Sequence, residues 1–248
     1  MAADPTHQFL IHKLVPVELA GYDISVTNQS AWMLGIIALM MVFFAVSVRK
    51  RAMVPGRLQA FAEITYEFIE NLMKDTTGRD GLKYLPFIFT LFIFIAALNV
   101  SGMLPGSFTS TSQIVITSFM AFTIFAGVIL IGLFKHGIKF LGMFLPAGTP
   151  IVMAPLMIVL EIISFFARPF TLALRLGANM MAGHIVIKLF ASFIIMMLGA
   201  GAVVGTMFVL PLAGLFALTA LELFVAFLQA YIFTLLACVY LNDALHLH

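Results

Sequence analysis

A permanent positive charge stands inside one of the most apolar parts of this sequence. Arg175 lies in the run Arg168-Pro-Phe-Thr-Leu-Ala-Leu-Arg175-Leu-Gly-Ala-Asn179-Met-Met-Ala-Gly-His184-Ile-Val-Ile-Lys188. A guanidinium keeps its proton in any protein environment. Placing it in lipid costs about 2.5–3.5 kcal/mol on insertion scales. A chain keeps such a group only where it faces a partner or a water-filled cavity. An arginine beside an amide and an imidazole is the chemistry of an ion pathway.

The elements that must position these groups are two long apolar segments, about 156–198 and 207–241, joined by the glycine-rich stretch Gly199-Ala-Gly201-Ala-Val-Val-Gly205. Each exceeds the roughly 20 residues that cross a bilayer upright, so the segments are expected to form a steeply tilted hairpin. Residues facing each other across an antiparallel hairpin have numbers with a constant sum. A turn near 202 predicts a sum near 404. Arg175 with Gln229 and Glu161 with Asp243 sum to 404, and His184 with Glu222 sums to 406. Glu161, Arg168 and Arg175 recur seven apart, with Asn179 four further on, so they share a helix face. His184 falls about half a turn around from Arg175.

Each of these residues also has a plain structural reading. Arg168 and Lys188 either snorkel or pair with other subunits. Glu161 and Asp243 either relay protons or mark the membrane edge. Asn179 and Gln229 serve equally as interhelical hydrogen bonds. His184 alone would read as structural; an intramembrane Glu222 at matching depth favours a joint role. His7, His12, His136, His246 and His248 have no metal-ligand spacing, and no nucleophile triad, phosphate loop or zinc motif occurs.

Composition bounds the class. Of 248 residues, 62% are hydrophobic and 10% charged, against roughly 45–50% and about 25% in soluble domains. The chain reads as an integral membrane protein with a single membrane domain, 1–248. The net charge of +2 gives no footing for nucleic acid, and the lone Cys238 excludes a disulfide framework or thiolate metal site. The first 23 residues lack the continuous apolar core of a signal peptide.

The fold expected is all-α, with about five membrane-embedded helices and one amphipathic interfacial helix. Residues 1–28 form an external segment without strands. The first span is 29–48, stopping at Arg49-Lys50-Arg51. At 57–75, Leu58, Phe61, Ile64, Phe68 and Leu72 recur at helical spacing while Glu63, Glu67 and Glu70 take another face, which predicts a surface helix. Spans follow at 84–104 and 114–134. Residues 140–155, with Pro146, Pro150 and Pro155, read as a broken interfacial connection, and 156–241 is the hairpin. Arg49, Lys50, Arg51, Arg57, Lys74, Arg79, Lys83, Lys135 and Lys139 fall on one side of this arrangement and only Lys13 on the other. The positive-inside bias then places the N-terminus outside and the C-terminus in the cytoplasm.

Arg175-Leu-x-x-Asn179, Ala182-Gly183-His184 and Leu228-Gln229-Ala-Tyr-Ile-Phe233 resemble subunit a of the F-type ATP synthase membrane sector, and Asn99 ahead of Leu104-Pro105 resembles that family's third helix. The resemblance covers most of the chain and is dense over 155–241. It implies a proton-translocating stator in a bacterial inner membrane, docked against a rotating ring of c subunits, with b-type stalk subunits beside it. The implied cofactor is none, and no covalent catalysis occurs in this chain. Residue by residue, the resemblance makes Arg175 the arginine facing the ring carboxylates, with Gln229 packed near it. Asn179, His184 and Glu222 become the outer half-channel and Glu161 the cytoplasmic one. Asn99 joins the proton-translocating set. Some members carry the acid and imidazole of 184 and 222 exchanged, and some carry an acid where this chain has Gly102.

Two rival readings remain at this point. A secondary transporter with Arg175 binding an anionic substrate predicts internal repeats, which the sequence lacks. A structural membrane subunit makes His184, Glu222 and Gln229 interhelical glue, and predicts that neutral substitutions leave proton flux intact.

Overall fold

Helices dominate because uncharged apolar runs in lipid must satisfy every backbone group internally. In a computed structural model, the described residues are 11–16, 18–19, 22–23, 25–49, 52, 54–104, 107–144, 153–199 and 208–246. They form α1 (Asn28–Arg49), α2 (Arg57–Gly81), α3 (Leu85–Gly102), α4 (Ile114–His136), α5 (Ala154–Gly199) and α6 (Val209–Leu245). Five stretches are long and apolar enough to cross a membrane. One of these is 57–102, where α2 and α3 are joined by the 3-10 turn Leu82–Tyr84. The turn expected near 202, Pro105-Gly106, Lys50, Arg51 and most of the proline-rich connection lie outside the described residues.

The helix ends have local causes. Thr27 Oγ1 accepts from the Ser30 backbone N–H at 3.2 Å, and Ser30 Oγ accepts from the Thr27 N–H at 2.9 Å. This reciprocal capping box starts α1. Gly137, at φ +59°, stops α4 in the left-handed conformation that glycine adopts without steric cost. Lys135 Nζ donates to the Leu245 carbonyl at 3.2 Å, with His136 Nε2 at 3.1 Å from the same oxygen. The basic end of α4 thus serves the last carbonyl of α6.

Two expectations need correction. The N-terminal segment is not strand-free: β1 (Lys13–Val15) pairs with β4 (Val26–Thr27), and β2 (Glu18–Leu19) with β3 (Tyr22–Asp23), both antiparallel. Pieces of two or three residues are too short for an alternating pattern to register. The surface helix is also longer than 57–75. It continues to Gly81 through a kink at Gly78, φ +67°. Its packed stripe is Ala62, Ile69, Met73 and Thr77, whereas Leu58, Phe61, Ile64 and Phe68 are exposed. Periodicity marks an apolar stripe, but beside lipid such a stripe need not be the buried one.

The chain contacts divide into two compact units. In the first (Met1–Met41, Phe94–Ile114, Leu176–Ala230), the core holds Ile95 and Leu98 of α3, Leu176 and Met180 of α5, and Ala226 and Ala230 of α6. The small alanines allow close helix approach. Gly214 of α6 does the same: a Cβ built there would lie 2.8 Å from the Phe190 ring of α5. The numbers of that pair sum to 404. In the second unit (Val42–Ile93, Val115–Arg175, Tyr231–His248), Ile69 and Met73 of α2 share the core with Ile88 of α3, Phe125 of α4, Phe165 of α5 and Phe233 of α6. The Phe125 and Phe165 ring centroids are 4.6 Å apart.

Gly214→Leu should therefore lower the melting temperature of the detergent-solubilised assembly by the equivalent of about 1–3 kcal/mol of overpacking. Adding Phe190→Ala should recover most of it. An unchanged melting temperature in Gly214→Leu would show that Phe190 does not cover this position.

Candidate functional site

In the first unit, α5 and α6 bring an imidazole and a carboxyl group together out of water. His184 and Glu222 are both buried, with His184 Nε2 3.6 Å from Glu222 Oε1. That separation suits an ion pair and is too long for a hydrogen bond. Neither Glu222 oxygen has a hydrogen-bond partner among the described residues. Gly183 makes room for the acid, because a Cβ there would lie 2.6 Å from Glu222 Oε1. Glu222 also lines a cleft of about 200 Å³ with Asn179, Met180, Gly183, Leu218 and Val225.

A third element completes this cluster. The 3-10 turn Ser110–Ser112 and Thr109 before it are buried. Thr109 Oγ1 lies 3.3 Å from His184 Nε2, and either atom can donate. The Ser110 and Thr111 hydroxyls have no hydrogen-bond partner among the described residues. Asn99 of α3 is fully buried and donates from Nδ2 to the Ala226 carbonyl at 3.0 Å, while its Oδ1 has no partner among the described residues. Gln229 is buried on α6. Leaving a buried polar atom unpaired costs about 1–3 kcal/mol, so these oxygens are the costly groups of the unit.

The second unit carries the fixed charges. Arg168 Nη1 donates to Asp243 Oδ2 at 3.0 Å, and its Nη2 lies 3.7 Å from Glu161 Oε1. Its guanidinium also stands 5.4 Å from the Tyr240 ring centroid and 5.9 Å from that of Phe165. Arg168 pairs within this chain, which neither snorkelling nor pairing with other subunits anticipated. Glu161 and Asp243 meet across Arg168. The numbers of the Arg168–Asp243 pair sum to 411 because a long side chain spans the interval. Arg175 is exposed, and its neighbours Phe170 and Leu174 are exposed too. It makes no ion pair with a carboxylate among the described residues. Arg175 belongs to the second unit and Gln229 to the first.

The structure thus pairs His184 with Glu222 and places Glu222 and Asn179 along one cleft. Sequence reasoning missed Thr109 and its hydroxyl-rich turn. The signal was present as a run of hydroxyls, Ser107 to Ser112, between two spans, but such a run reads as an exposed loop.

A profile of the family described as ATP synthase A chain matches residues 30–242. ATP synthase subunit a of Rhizobium etli is 49% identical over 246 residues, covering 99% of this chain and 98% of the relative. The subunit of Rhodopseudomonas palustris strain TIE-1 is 50% identical over 248 residues, 99% of each. That of Beijerinckia indica is 47% identical over 243 residues, covering 98% of this chain and 96% of the relative.

The ion cluster generates its own test. Asp243→Ala should lower stability only modestly, by roughly 1 kcal/mol or less, because the pair is partly solvated. Asp243→Arg should be worse, and the exchange Arg168→Asp with Asp243→Arg should recover stability. Denaturation of the purified assembly measures this, and an exchange no better than Asp243→Arg would dissolve the pairing.

Proposed function

The chain belongs to the ATP synthase A chain family, and from that premise we propose that it is the proton-translocating stator of the membrane sector, offering two aqueous half-channels to the carboxylates of a rotating c-ring. It is an integral multi-pass membrane protein. The proposed setting is a bacterial inner membrane, with the N-terminus outside, the C-terminus cytoplasmic, and b-type stalk subunits alongside. Protons are the transported ion, and no covalent chemistry or cofactor is assigned to this chain.

The observation that carries the proposal is the buried His184–Glu222 pair, whose carboxyl oxygens have no hydrogen-bond partner within the described residues. Two adjacent protonatable groups beside unpaired hydroxyl and amide oxygens make a path a proton can occupy stepwise. Asn179 and Asn99 line or anchor that path; as amides they orient it without carrying protons. The positive-inside bias puts this pair on the outer side and Glu161 on the cytoplasmic side.

Arg175 separates the two paths. A ring carboxylate crossing lipid must be protonated, because a bare buried charge is expensive. Opposite a fixed cation the ionised form is favoured. A proton therefore leaves a carboxylate to one side and another loads from the other side. Arg175 blocks a direct leak because it cannot itself pass a proton. Each charge moved through the membrane potential supplies about 2.3 kcal/mol per 100 mV to rotation.

Arg175→Ala should abolish ATP-coupled proton pumping in sealed vesicles while the subunit still inserts, as judged by immunoblot. Arg175→Lys should also fail, since an ammonium lacks the planar guanidinium fork and can lose its proton once it faces the ring. Glu222→Gln should slow proton uptake from the outer side roughly ten-fold, in line with about 1–3 kcal/mol for a buried group losing its match. Normal pumping in Arg175→Ala would reject the stator role, and normal pumping in Glu222→Gln would reject the outer half-channel.

Orientation is tested by single cysteines in a Cys238→Ala background. Cysteine at Leu14 should label from outside and cysteine at Val54 from the cytoplasm; both positions are exposed. Reversed labelling would exchange the two half-channels.

A further inference from the structure

The contact between Thr109 and His184 has a role that neither the family's arginine nor the His184–Glu222 pair explains. A buried imidazole has two nitrogens with different needs: the protonated one requires an acceptor and the bare one a donor. Glu222 stands 3.6 Å from Nε2, beyond hydrogen-bonding reach. The nearer group on Nε2 is the Thr109 hydroxyl at 3.3 Å. That hydroxyl has a second neighbour, the Gly102 carbonyl, 3.4 Å away. A carbonyl only accepts. When the hydroxyl proton is given to Gly102, the oxygen lone pair accepts Nε2–H. When Nε2 is bare, the hydroxyl turns and donates to it. A carboxylate cannot serve both states, and neither can an amide hydrogen.

The backbone is shaped to seat this side chain. Thr109 is 1% exposed. A Cβ at Gly102 would lie 3.0 Å from Thr109 Cγ2, so the absence of a side chain there lets the threonine methyl lie against α3. The methyl and the hydroxyl are thereby held in one orientation, with the hydroxyl aimed at the ring. Ser110, Thr111 and Ser112 follow in the buried 3-10 turn, which carries no titratable side chain.

We propose that Thr109 is a positioning residue for His184, keeping Nε2 partnered in both proton states and the ring within reach of Glu222. It rests on the half-channel reading above and deepens it. Thr109 itself gains and loses no net proton; its hydroxyl only changes direction. The charged or titratable groups facing His184 are Glu222 from α6 and Lys188, four residues further along α5.

The test compares Thr109→Val with Thr109→Ser in the intact assembly. Valine keeps the methyl against Gly102 and removes the hydroxyl. Serine keeps the hydroxyl. Proton flux is measured in sealed vesicles across a series of outer pH values, with Glu222→Gln alongside and subunit levels equalised by immunoblot. Thr109→Val should lose roughly five-fold in flux, the scale of one net hydrogen bond, and its dependence on outer pH should change shape. Thr109→Ser should follow the wild-type curve. Wild-type flux in Thr109→Val, or equal loss in Thr109→Ser, overturns the proposal. So does a Thr109→Val curve that is only scaled down, because that is what a packing defect gives. If Glu222→Gln is impaired while Thr109→Val is not, this inference alone fails. If Glu222→Gln is also normal, the half-channel reading fails with it.

Discussion

Burying a carboxyl group without a hydrogen-bond partner is the constraint on which the first unit depends. Glu222 meets it with three features of α5 and α6. Gly183 withholds a side chain so that the acid can lie against the α5 backbone. His184, the next residue, presents the only basic ring at ion-pair distance among the described residues. The cleft lined by Asn179 and Leu218 runs beside the acid, whose oxygens stay buried. Gly183 and His184 are neighbours in sequence for a physical reason: one provides space and the other charge complementarity, at the same helical level.

Much of this was legible before any coordinates. The constant-sum argument placed His184 opposite Glu222, and Phe190 over Gly214 falls on the predicted 404. It worked because hairpin register depends only on the turn position and the rise per residue. It was less informative at Arg168, where the partner Asp243 is displaced from the expected register. A long, flexible side chain meets its counter-ion along a diagonal, and backbone level alone cannot state that. The seven-residue spacing of Glu161 and Arg168 did foretell that they share a face, and they lie within ion-pair distance.

What sequence did not show has a common cause. Thr109 reaches His184 across 75 positions of chain, and no local pattern encodes such a contact. Hydroxyl-rich turns look solvated by composition, yet this one is buried because the helices around it enclose it. The packed stripe of α2 was hidden for the opposite reason. Lipid tolerates both apolar faces of a helix, so hydrophobic periodicity loses its power to say which face meets protein. Charge kept its meaning in the bundle, where a polar group without company is costly, and the His184–Glu222 pair was accordingly the most readable.

The Arg168–Asp243 bond also sets a timing problem during synthesis. The arginine emerges from the ribosome 75 residues before its aspartate. At about 5–20 residues per second, the gap is roughly 4–15 s. Throughout that interval the cation sits in a long apolar segment with its final counter-ion not yet made. Glu161, seven residues earlier and already present, is the one acid of the finished cluster available to hold it. The longer contact is thus the one available first, and the shorter one forms only once the end of α6 has been made.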